Sequence, residues 1–167
     1  LFKKKKFVIR TDYIITMDLI PDVCLTEIIN NKLQKEEWKK LFNYDINIEL
    51  TKINNTLLNQ TGNDNEYEIL RKHPFLLVDT KFFSSDFKYR LLSSIDDLDD
   101  NTNGILIKSE NYQALNLILN KYKNKIKYCY IDPPYNSKST EIIYKNNFKH
   151  SSWLSLMENR FVLIKKL

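Results

Sequence analysis

The stretch Tyr128–Asn136, YCYIDPPYN, sets an acid, two adjacent prolines and a tyrosine at the end of an apolar run, in a chain with only four prolines. A proline biases the residue before it toward extended geometry and removes a backbone donor. Asp132 and Pro133 are thereby expected at the C-terminal end of a strand over Ile126–Ile131, with carbonyl oxygens free to accept. In open α/β sheets, ligands bind at that end of a strand. The residue types suit one chemistry in particular. The exocyclic amine of a nucleobase is a poor nucleophile because its lone pair is conjugated into the ring. Hydrogen bonds from that amine to the Asp132 carboxylate and the Pro133 carbonyl let the nitrogen pyramidalise and aim its lone pair at an electrophile. Tyr135, just past the rigid proline pair, is placed to stack on a base flipped out of a duplex.

The elements that must hold these residues can be read along the chain. Ile105–Ile107 is expected as a strand, Tyr112–Tyr122 as a helix with Leu115, Ile118 and Leu119 on one face, and Ile126–Ile131 as the next strand. That is a βαβ unit with neighbouring parallel strands. A last helix begins at Ser151 or Ser152 and is expected to bury Trp153, Leu154, Met157, Phe161 and Ile164. Further upstream, FVIRTDYIITMDLIP reads as one long strand or a hairpin, and Cys24 to Phe42 as a helix whose core residues are Leu33, Trp38, Leu41 and Phe42. Residues 43–66, rich in Asn, read as a poorly packed connection. FLLVDTKFF after Pro74 is a short strand, and Ser84, Ser85 and Asp86 cap a helix reaching about Ile95. DDLDDNTNG, Asp96 to Gly104, is a solvated turn-rich loop.

With 167 residues, 43% hydrophobic and 28% charged, the chain has the composition of a soluble globular domain. No apolar run is long enough to span a membrane, and no signal-peptide pattern opens the chain. The net charge of +5 suits a nucleic-acid partner, and the Lys, Asn and Ile bias produces such a charge without any function just as readily. Cys24 and Cys129 are far apart, and Cys129 falls within the expected strand, so core thiols in a reducing cytoplasm are expected. The chain opens on Leu1 and ends at Leu167 inside an amphipathic pattern, which reads as a piece of a longer polypeptide.

IDPPYN resembles the D-P-P-Y motif of S-adenosylmethionine-dependent amino-methyltransferases of DNA adenine, where Asp at the first position goes with adenine N6. HPFLLVDTKFFSSDF, LLSSIDDLDDNTNGILIKSENYQALNLI and YKNNFKHSSWLSLMENR resemble the N-terminal half of the modification subunits of Type III restriction-modification systems. So do DYIITMDLIP and EEWKKLF. The resemblance implies an α/β protein, a partial Rossmann-like methyltransferase fold over 75–167 preceded by an accessory α+β region over 1–74. It implies Asp132, Pro133, Pro134 and Tyr135 as catalytic residues and S-adenosylmethionine as cofactor. In the family the cofactor's Gly-rich half follows later in the chain, and neither Gly62 nor Gly104 sits in such a loop. KSEN, Lys108 to Asn111, stands where relatives carry a Gly-Asp or Gly-Asn pair near the cofactor's adenine. Ser109, Glu110 and Asn111 are therefore the cofactor-binding candidates, with Glu110 accepting from the adenine amine; the alternative is that they only cap a helix. Double-stranded DNA, a restriction subunit and a second modification subunit are the implied partners.

Other residues carry less. Lys3–Lys6 either touch phosphate or mark a solvated strand edge. Asn136–Thr140 either closes over a flipped base, with Lys138 on a phosphate, or is an ordinary loop. His150 is assigned to capping and packing and His73 to structure, and the two histidines with two distant cysteines fit no metal spacing. Two other functions share the motif: an RNA or protein methyltransferase, and a truncated or split subunit that binds DNA or a partner without catalysis.

Overall fold

Strand β1, Ile14–Thr16, pairs antiparallel with β2, Leu77–Asp79, in the register Ile14 to Asp79, Ile15 to Val78 and Thr16 to Leu77. The computed structural model describes residues 9–56, 64–133 and 150–167. The chain divides into two compact units, Leu1–Asn103 and Gly104–Leu167. The sequence reading instead separates an accessory region after residue 74. The ladder between β1 and β2 draws the segment after Pro74 into the first unit.

In the first unit, helices α1 (Asp22–Asn30), α2 (Lys32–Phe42), α3 (Ile46–Thr56), α4 (Asp64–Arg71) and α5 (Ser85–Ser93) accompany this ribbon. A two-stranded ribbon alone is marginal in water and needs a packed face. Ile15, Val78, Leu25, Ile28, Trp38, Leu70 and Phe87 supply one, all within a single buried cluster. The free edge of β2 is closed by side chains of α2. Buried Gln34 donates to the Leu77 carbonyl at 3.2 Å and accepts from the Asp79 N–H at 2.9 Å, and the Trp38 indole N–H donates to the same Leu77 carbonyl. The Gln34 amide thus does what a third strand would do. Arg71 ties down the turn between β1 and α1, its guanidinium donating to the Met17 and Ile20 carbonyls and pairing with Asp22 at 2.6 Å.

Several expectations for this unit change. The helix expected over Cys24 to Phe42 is two helices, because Asn31 leaves helical geometry and its side chain caps α2 by accepting from the Gln34 N–H. Of the four core residues expected there only Trp38 is buried; Leu33, Leu41 and Phe42 are exposed, since α2 turns Gln34 and Trp38 toward β2. The connection expected at 43–66 contains α3 and the start of α4, and buried Ile46 joins the core. Lys3–Lys6 lie outside the described residues. The Ser84 cap is as expected, its hydroxyl accepting from the Phe87 N–H at 3.1 Å.

In the second unit, α6 (Asn111–Tyr122) packs on α7 (His150–Ile164). The turn after α6 is tied to the end of α7, with the Asn124 N–H donating to the Lys166 carbonyl and the Ile126 N–H to that of Leu167. Leu115, Ile118 and Leu119 share the half-buried face of α6, as the periodicity predicts. On α7 the packed face is rotated from the expected one. Met157 and Leu163 are buried, whereas Leu154 and Phe161 are exposed, because α7 meets α6 along the row through Met157, Arg160 and Leu163.

Neither expected strand of this unit forms a ladder: the runs at 105–107 and 126–131 carry no strand pairing. A strand exists only through a partner's hydrogen bonds. Among the described residues the two runs carry only one such bond, from the Ile126 N–H to the Leu167 carbonyl, and no strand lies along them; most of their side chains stand in solvent, Leu106 at 99% exposed and Tyr130 at 81%. Cys129, expected as a core thiol, is exposed for the same reason, whereas Cys24 is buried in the first unit. No described helix is long and apolar enough to cross a membrane.

Candidate functional site

The sequence-assigned residues fall in two places within the second unit. Asp132 and Pro133 follow the apolar run 126–131, Asp132 exposed and Pro133 half-buried. Pro134 and Tyr135 lie outside the described residues, as do the Asn136–Thr140 loop and Lys138. What is described of the motif is a solvent-accessible carboxylate next to a proline carbonyl. That pair is able to accept hydrogen bonds from an amine.

Glu110 and Asn111 sit at the start of α6. Glu110 is the N-cap, with extended backbone (φ −64°, ψ 133°), and its Oε2 accepts from the Gln113 N–H at 3.2 Å. The helix therefore begins there because a carboxylate satisfies its first free N–H groups and complements its positive end. The capping alternative is thus realised at Glu110. It does not use up the residue, since a carboxylate offers about four acceptor positions. The second oxygen, Oε1, accepts from Arg160 Nη2 at 2.7 Å, while Arg160 Nε donates to Asn111 Oδ1 at 2.8 Å. Burial presses the Glu110 carboxyl pKa upward, but the backbone N–H groups of Tyr112 and Gln113 and the Arg160 guanidinium outweigh it and hold the pKa below the ordinary carboxylate value. Glu110 is therefore an ionised, accessible acceptor held in one orientation. Such a group fits the amine or hydroxyl donors of a nucleoside.

The sequence reading gave Arg160 no role. A signal for it existed, because Arg160 shares a helical face with Met157 and Leu163, where a charge must find a partner. The glycine expectations concern the rest of a cofactor pocket. A side chain placed at Gly104 would meet nothing within 4 Å, so no backbone approaches closely there, and Gly62 lies outside the described residues. An open apolar hollow runs along α7 past Leu154, Met157, Phe161 and Val162, and none of the assigned site residues lines it. No hydrogen bond or ion pair among the described residues joins Asp132 to Glu110.

Over 98 residues the chain is 36% identical to the probable type III restriction-modification enzyme HindVI Mod subunit of Haemophilus influenzae, a match covering 54% of this chain and 13% of that protein. Over 49 residues it is 39% identical to the Type III restriction-modification enzyme EcoP15I Mod subunit of Escherichia coli, covering 29% of this chain and 8% of that protein. The chain resembles Type III Mod subunits. No family model and no solved structure matches it. The Mod resemblance expected from IDPPYN and its flanking stretches thus stands on whole-segment identity as well as on the motif. The matched part is a small fraction of each Mod subunit's length.

Proposed function

We propose that this chain is the N-terminal, motif-bearing part of a site-specific adenine-N6 DNA methyltransferase, the modification subunit of a Type III restriction-modification system. The observation that carries this reading is the IDPPYN sequence, with Asp132 solvent-accessible after its apolar run, in a chain that matches one Mod subunit over 54% of its length and another over 29%. The charge distribution supports it. The second unit holds eleven Lys and Arg against four Asp and Glu, whereas the first holds fifteen against seventeen. The motif thus lies in the cationic half, as contact with phosphate requires.

In the proposed reaction, duplex DNA is bound and one adenine is flipped out. The Asp132 carboxylate accepts a hydrogen bond from N6, and the Pro133 carbonyl accepts a second. Together they draw the nitrogen out of conjugation and hold its lone pair toward the methyl donor. Tyr135 stacks on the base. S-adenosylmethionine, the cofactor the resemblance implies, supplies the methyl group when bound, and Glu110 is the described residue suited to accept from its adenine. The Gly-rich turn that would cradle the rest of the cofactor belongs, in this reading, to a later part of the full-length protein.

In the proposed fold the runs 105–107 and 126–131 are strands of a doubly wound parallel sheet that other parts of the full-length protein complete. The test is to incubate the full-length gene product with labelled S-adenosylmethionine and DNA, RNA or protein. Label in DNA as N6-methyladenine, lost in Asp132→Ala, supports the proposal; label in RNA or protein alone transfers the motif to another substrate class. The alternative reading, a split subunit without catalysis, is an outcome of the same test. Full-length protein that binds DNA and labels nothing would establish it.

A further inference from the structure

We infer that Arg160 is a positioning residue that fixes the acceptor Glu110 for the cofactor, an inference that rests on the methyltransferase reading above. Arg160 lies on the packed face of α7, and its side chain is 17% exposed against 40% for Glu110. Its guanidinium serves three acceptors at once. Nη2 donates to Glu110 Oε1 at 2.7 Å, Nε to Asn111 Oδ1 at 2.8 Å and Nη1 to the Leu156 carbonyl at 3.0 Å. The guanidinium carbon also lies 5.7 Å from the centre of the Tyr112 ring. A planar fork of five donors can satisfy all of these together, and an ammonium group cannot.

The bond to Leu156, one turn back on the same helix, anchors the guanidinium to α7. Glu110 Oε1 is thereby set from α7, and Oε2 is set from α6 by the Gln113 N–H. With both oxygens held, the carboxylate keeps one orientation and turns its remaining acceptor capacity toward solvent. A ligand that donates to it meets a group whose rotamer freedom has already been given up, which raises affinity without any new contact. The same contact joins two stretches of chain with separate duties. Glu110 precedes α6, whereas Arg160 belongs to the helix that follows the DPPY stretch. Asn111, assigned by resemblance to the cofactor, acts here as the second hold on Arg160.

The test uses the full-length gene product and calorimetric titration with S-adenosylmethionine, with thermal melting and DNA affinity measured alongside. Glu110→Ala and Arg160→Ala are each expected to weaken cofactor binding about tenfold, the scale of a hydrogen bond to a charged group. Arg160→Lys should fall between wild type and Arg160→Ala, and DNA affinity should not change. The double variant should bind no more weakly than Glu110→Ala alone, because Arg160 acts through Glu110. Wild-type cofactor affinity in Arg160→Ala, or fully additive losses in the double variant, would overturn the positioning role while leaving Glu110 as a ligand. If Arg160→Ala does not fold, Arg160→Lys decides: wild-type affinity contradicts the inference, and a several-fold loss at unchanged melting temperature supports it. Unchanged affinity in Glu110→Ala, or no binding by the wild type, removes the assignment of Glu110 and the inference with it.

Discussion

The two units of this chain solve the same physical problem to different degrees. In the first, a ribbon of two three-residue strands is made sufficient by five helices, a buried cluster running from Ile15 to Leu91, and side chains that stand in for missing strands. In the second, only Met157, Leu163 and Leu167 are buried among the described residues, and two largely exposed apolar runs pair with no described strand. The difference follows from what each sheet segment finds beside it. Gln34 and Trp38 give β2 a partner, whereas among the described residues no strand or side chain does this along 105–107 or 127–131. The first unit is therefore organised for stability. The second holds chemistry-bearing residues on a scaffold that, in the proposed function, other strands complete.

The largest expected effect tests the first half of that contrast. Trp38→Ala removes a fully buried indole and its bond to the Leu77 carbonyl, and should cost about 3–5 kcal/mol of unfolding free energy in urea titration. A loss below about 1 kcal/mol would mean that the α2 to β2 contact does not carry the first unit. Asp132→Ala should do the reverse. In the full-length protein it should reduce methylation by about a hundred- to a thousandfold, the scale for removing one group that stabilises the reacting centre, with stability and DNA affinity kept. Unfolding caused by this substitution would break the division between a stabilising unit and a chemical one.

Two smaller effects sharpen the same line. Gln34→Leu should destabilise the first unit by about 1–3 kcal/mol, because the buried Asp79 N–H loses its acceptor, and hydrogen exchange at that amide should quicken before its neighbours do. An unchanged exchange rate would mean that the Gln34 amide does not stand in for a strand. At Tyr135, outside the described residues, Phe should retain most of the activity and Ala should lose about 1–3 kcal/mol of transition-state stabilisation, since stacking needs a ring and not a hydroxyl. Equal losses would assign the role to the hydroxyl. The smallest effect is electrostatic. Because the folded-state pKa of Glu110 lies below the ordinary 4.5, its contribution to the α6–α7 contact is complete above pH 4.5 and disappears as pH falls through the lowered value. Carboxyl NMR titration should find this pKa moving up toward 4.5 in Arg160→Ala; identical titration in both proteins would mean that Arg160 does not hold the carboxylate.

The helices were easier to anticipate than the faces they bury. Ser84 and Glu110 mark the starts of α5 and α6 by cap chemistry that sequence displays directly. Leu33, Leu41 and Phe42 are exposed because α2 turns the Gln34 amide toward β2, which apolar character alone does not reveal. The break at Asn31 is hidden for a related reason: its capping role depends on a local backbone change and not on composition. The runs at 105–107 and 126–131 have strand composition, but a ladder is a property of two segments, and one segment cannot display it. Of the candidate site, the acid, the prolines and Glu110 were apparent as residue types. Arg160 was not, since its two side-chain partners lie 49 and 50 residues away.

In the proposed function, the chemistry of the second unit becomes a methyltransferase only together with the rest of the protein. The direct measurement compares methyl transfer from labelled S-adenosylmethionine to DNA by residues 1–167 alone and by the full-length gene product at equal concentration. The account predicts N6-methyladenine from the full-length protein, and neither tight cofactor binding nor transfer from the isolated chain. Methylation by residues 1–167 alone, or none by the full-length protein, would contradict it.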